Sequence, residues 1–129
     1  MGAPGKERQH SDTAALCRAG SWGAEFYAVS PRPDQRIVVK HRYDAFSGTD
    51  LDLILRAHEI ETLLLTGVAT NVCVETTART AFCLGYRVVM VGDCLAGTSE
   101  AEHDVALGTL ERYFDARCAD SDSIVAMFG

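Results

Sequence analysis

Cys73 sits where an apolar run gives way to an amphipathic one. Leu63, Leu64 and Leu65 are closed by Thr66 and Gly67, the pattern of a strand buried on both faces of a parallel sheet. From Asn71 onward, Val74, Ala78, Ala81 and Phe82 recur at helical steps until Gly85 supplies a stop. Cys73 therefore falls in the first turn of a predicted helix, facing N–H groups without intrahelical partners and the positive end of the dipole. Both favour its thiolate, the form that attacks a carbonyl carbon. Taken alone, a cysteine after a strand is more often an apolar filler. The second reactive group is Lys40, which ends the β-branched run Ile37-Val38-Val39. A strand is predicted over 37–40, with the lysine at the C-terminal edge where ligand sites of parallel α/β sheets gather.

The elements that must position these groups follow in order. A helix is predicted from Thr49 or Asp50, with Leu51, Ile54, Leu55 and Ile60 on one side and Arg56 late. Tyr86 to Val91 reads as a strand ended by Gly92-Asp93. Ser99-Glu100-Ala101-Glu102 is a capping box, leading a helix whose buried stripe is Ala106, Leu107, Leu110, Tyr113 and Phe114. Residues 116–119 read as a short strand and 121–127 as a terminal helical turn. Strand and helix alternate, which predicts an α/β class with parallel strands. Upstream, residues 1–11 read as a flexible segment and 12–129 as one domain. Residues 12–18 look helical, and Gly20, Gly23, Pro31 and Pro33 mark a loop with at most one short turn.

Two segments carry a more specific signal. Val38-Val39-Lys40-His41-Arg42-Tyr43-Asp44-Ala45-Phe46-Ser47-Gly48-Thr49-Asp50-Leu51 and Thr66-Gly67-Val68-Ala69-Thr70-Asn71-Val72-Cys73-Val74-Glu75-Thr76-Thr77-Ala78-Arg79 resemble the isochorismatase-like cysteine hydrolases. With Gly20-Ser21-Trp22-Gly23-Ala24-Glu25, the chain is most similar to the ureidoacrylate and biuret amidohydrolase branch. The resemblance implies a three-layer, Rossmann-like α/β/α fold on a parallel sheet and an Asp, Lys, Cys triad with Lys40 and Cys73 as its second and third members. It also implies an oxyanion hole from the backbone N–H groups of Ala69 and Cys73, a cis peptide between Val68 and Ala69, and a homo-oligomer. The family's Asp closes an N-terminal strand, and no such stretch precedes Lys40, so the domain is expected to be incomplete, with its N-terminal strands absent. Asp44 and Asp93 are the carboxylates that could substitute.

The expected activity is hydrolysis of the C–N bond of a small amide or ureide through a Cys73 acyl-enzyme. The alternative is a catalytically inactive homologue acting as an assembly subunit or binding module. Trp22, Tyr43, Phe46 and Asn71 are expected at the substrate pocket, with burial in the core as the other reading of the aromatics. Asp93 reads as a structural acceptor, and His41, His58 and His103 as solvated or capping groups. No His/Asp cluster has metal-ligand spacing and no glycine-rich phosphate loop occurs, so neither metal nor cofactor is expected. A net charge of −6 over 129 residues argues against nucleic acid, which needs a basic face. No apolar run approaches the roughly 20 residues that span a bilayer. Five cysteines without a C-x-x-C pair fit a reduced compartment, and a cytoplasmic location is the default expectation.

Overall fold

The computed structural model describes residues 17–129. The segment expected to be flexible and residues 12–16 of the helix-like stretch lie outside the described residues, while Cys17 and Arg18 carry no helix. The chain divides into two compact units, Met1–Ile37 and Val38–Gly129. The described part of the first unit is loop with one short 3-10 turn, Trp22–Ala24, whose Ala24 N–H donates to the Ser21 carbonyl at 3.0 Å.

The second unit carries a parallel three-stranded sheet in the order β1-β2-β3, from β1 (Thr62–Val68), β2 (Arg87–Ala96) and β3 (Arg117–Ala119). Its helices are α1 (Leu51–Ala57), α2 (Glu75–Cys83), α3 (Glu100–Tyr113) and α4 (Ser121–Phe128). Helices α2 and α3 pack on each other and on β2, which completes the predicted α/β architecture. The core is built from Val88 and Met90 of β2, Ala78 and Ala81 of α2, Leu110 of α3, and Phe46 stacked on Tyr86 at 5.9 Å.

Local signals set the element ends. Gly85, at φ 92°, gives its N–H to Phe82 while Tyr86 gives its own to Ala81, closing α2 in a Schellman motif. Helix α1 ends in the same way, with Glu59 rather than glycine taking the left-handed position. Ser99 caps α3 by accepting the Glu102 N–H at 3.2 Å, and Asp120 caps α4 by accepting from Ser123 at 2.7 Å.

Four expectations are corrected. Residues 37–40 form no strand, because β-branched composition makes a ladder only where a neighbour supplies partners, and among the described residues none does. Strand β1 is not buried on both faces: Leu63 and Leu65 are half-buried while Leu64 is 41% exposed, since β1 pairs with β2 alone among the described residues. Gly92-Asp93 interrupts β2 rather than ending it, as the register jumps from Leu65 opposite Met90 to Gly67 opposite Leu95. Tyr113 is 67% exposed, while Leu110 and Phe114 on the other side of the same turn face the core.

Candidate active site

Strand β1 delivers the chain to the site. After Gly67, at φ 107°, the Val68–Ala69 peptide is cis, and Thr70–Val74 form a π-helical turn before α2 begins at Glu75. The Ala69 carbonyl accepts from Val72 at 3.0 Å and from Val74 at 3.2 Å. Cys73, half-buried, therefore stands on a widened turn at the C-terminal edge of β1 rather than in the first regular turn of α2. It lines a cleft of about 230 Å³ together with Lys40, Ala45, Leu65, Thr66, Val68, Val74 and Thr77. Lys40 and Cys73 are the only ionisable side chains among these lining residues. The lysine ammonium donates to the Arg42 carbonyl at 2.9 Å.

Two sets of hydrogen bonds hold this turn from the α3 side. Thr70, fully buried, shares a 2.8 Å hydrogen bond with Nδ1 of His103. The Asn71 amide donates to the Thr98 hydroxyl at 2.7 Å and accepts the Thr98 N–H at 2.9 Å. Glu102, the acidic member of the capping box, accepts from the Thr98 hydroxyl and from Asn71 Nδ2. The connection into α3 thus grips the residues just before Cys73.

The other predicted residues are dispersed. Trp22 lies in the first unit and is 83% exposed. Tyr43 is half exposed, and Phe46 is a core residue of the second unit. Neither candidate carboxylate lines the cleft. Asp44 is buried and accepts from Phe46 N–H, Ser47 hydroxyl and Thr80 hydroxyl, each at 2.9 Å. Asp93 accepts from the Ser121 hydroxyl and N–H, which hold its carboxyl below the ordinary aspartate range and fasten α4 to β2. Cys118, exposed as a residue, has its thiol pushed up to about 12 by desolvation and then by the neighbouring Glu111. Thr70, Thr77, Thr80 and Thr98 carry no signal in the sequence, since only their long-range partners reveal them, and His103, expected as a solvated or capping group, is instead half-buried and bonded to Thr70. Among the described residues no group of three His, Cys, Asp or Glu side chains is placed to hold a metal ion, and no helix is long and apolar enough to cross a membrane.

Residues 3–123 match the family model of the isochorismatase domain. Ureidoacrylate amidohydrolase RutB of Methylobacterium radiotolerans is 37% identical over 128 residues, covering 88% of this chain and 49% of that protein. An isochorismatase-like hydrolase from Alkaliphilus metalliredigens superposes with a TM-score of 0.80 at 37% identity, over 85% of this chain and 61% of that one. A pyrazinamidase/nicotinamidase from Streptococcus mutans gives a TM-score of 0.61 at 42% identity, over 62% of this chain and 44% of that one. The chain spans about half or less of the length of the curated relatives it matches.

Proposed function

The chain belongs to the isochorismatase family of hydrolases, and from that premise we propose that it cleaves the C–N bond of a small amide or ureide through an acyl-enzyme on Cys73. The observation that supports this reading is the cleft that Cys73 and Lys40 both line. Lys40 is the cationic residue lining that cleft, and the thiolate is the form of Cys73 that attacks. Attack of sulfur on the carbonyl carbon forms the C–S bond and moves the carbonyl electron pair onto oxygen, where the N–H groups of Ala69 and Cys73 receive it. Collapse expels the nitrogen, which leaves as ammonia or an amine after taking a proton. Water then releases the acid and returns the thiol. The similarity to a ureidoacrylate amidohydrolase favours a ureide, and that to a nicotinamidase a simple amide, so both belong in the assay.

The second reading, a binding module or assembly subunit without turnover, is favoured by one observation: no carboxylate is among the residues that line the cleft. Ammonia release from ureidoacrylate, biuret and a simple amide separates the two, with Cys73→Ala as the control. The expected result is release that falls by on the order of 10³-fold or more in the variant. Release that survives the substitution refutes the Cys73 mechanism, and a wild-type chain that binds these compounds without releasing ammonia supports the second reading.

A further inference from the structure

We infer that Asp44 is a positioning residue that holds Lys40 in place against Cys73. The inference rests on the proposed roles of those two side chains. Asp44 is 9% exposed, and a carboxylate so enclosed ordinarily takes a cationic partner. Its partners here are neutral donors. Oδ1 accepts the Phe46 N–H, while Oδ2 bridges the Ser47 hydroxyl of the same segment and the Thr80 hydroxyl of α2. One turn nearer Cys73, the Thr77 hydroxyl accepts the Ala45 N–H at 3.0 Å. Residues 44–47 are thereby fastened to the helix that begins two residues after Cys73. The Lys40 ammonium is anchored on the Arg42 carbonyl, two residues before the fastened segment. Asp44 thus follows the lysine's anchor by two residues, with both carboxylate oxygens already engaged, and its neighbour Ala45 and the Thr77 bonded to Ala45 line the cleft.

The sign of one measurement separates this role from its rivals. If Asp44 acted only as a nearby negative charge, neutralising it would make the Cys73 thiolate easier to form. If it positions Lys40, neutralising it loosens the lysine and makes the thiolate harder to form. Glu75 and Arg79, paired with each other on α2 at 3.4 Å, and His103, bonded to Thr70, are present in every variant compared.

The experiment follows the rate of Cys73 alkylation by iodoacetamide against pH, read by peptide mass spectrometry because the chain has five cysteines. Wild type, Lys40→Ala, Asp44→Asn and Thr80→Val are compared, with circular dichroism to check folding. Asp44→Asn is expected to raise the alkylation midpoint by about one pH unit, making alkylation roughly tenfold slower at a fixed pH below it, in the same direction as Lys40→Ala. Thr80→Val changes no charge and should move the midpoint the same way by less, which keeps the test intact if Asp44→Asn fails to fold. A midpoint that falls or stays put in both variants while Lys40→Ala raises it overturns the inference alone. An unmoved midpoint in Lys40→Ala overturns the role given to Lys40 as well. Loss of hydrolysis in Asp44→Asn with an unchanged alkylation profile would make Asp44 a proton carrier and also overturn positioning.

Discussion

Gly97 lies in the three-residue connection between β2 and α3, and replacing it by alanine should damage both stability and the turn that carries Cys73. A Cβ there would meet His103 Cβ at 2.9 Å, Asn71 Oδ1 at 3.0 Å and the Ser99 carbonyl at 3.0 Å. Two of these atoms cannot move freely, since His103 Cβ rides on α3 and the Ser99 carbonyl is backbone at the cap. Asn71 can yield only by disturbing its 2.9 Å bond from the Thr98 N–H. Overpacking of this kind costs about 1–3 kcal/mol, and the strained hydrogen bond adds about 1 kcal/mol. A loss of about 2–4 kcal/mol corresponds to a fall in Tm on the order of 10 °C for a domain of this size. Gly108 is the control: it is exposed within α3 and a Cβ there meets nothing within 4 Å. Gly108→Ala should gain about 0.5–1 kcal/mol by restricting the unfolded chain and suiting the helix. Thermal melts by circular dichroism decide. A Gly97→Ala protein melting within a degree of wild type, or one shifted no differently from Gly108→Ala, would refute the claim that this connection is sterically closed.

Leu110 is fully buried in α3, so Leu110→Ala should cost about 2–5 kcal/mol in denaturant unfolding, and a loss below about 1 kcal/mol would mean that the core there collapses around the gap. The Asp93 carboxyl is depressed first by the Ser121 hydroxyl and then by the Ser121 N–H. A carboxylate whose folded pKa lies below the unfolded value, about 3.9, contributes stability above that value and loses it as pH falls through the folded pKa. The stability gap between wild type and Asp93→Asn should therefore be constant above roughly pH 5 and close on further acidification. A gap that widens on acidification would show that the Ser121 donors do not favour the ionised form.

Much of the local structure was legible in sequence because its causes are local. Gly85 ends α2, Ser99 caps α3 through the Glu102 N–H, and the leucine run at 63–65 forms the strand that leads to Cys73. Each signal works over a few residues and needs no knowledge of the rest of the fold. Residues 37–40 show where such reading stops, since a strand requires a partner and propensity names none. Phe46 shows the same limit for side chains: an aromatic beside a reactive segment reads equally as pocket wall or core, and stacking on Tyr86, forty residues away in sequence, makes it core.

The candidate site divides along the same line. Cys73 and Lys40 could be picked out because reactivity is a property of a residue type and its immediate setting. What aligns them is non-local: Asp44 with Thr80 across 36 positions, Thr70 with His103 across 33, and Asn71 with Thr98 across 27. Each of these pairings becomes meaningful only once the fold has brought its two partners together. Productive geometry in a nucleophilic site tolerates displacements well below the length of a hydrogen bond. Thr98 and Thr80 hold, through Asn71 and Asp44, the segments next to Cys73 and Ala45 in the cleft, although no pattern in the sequence connects them to it.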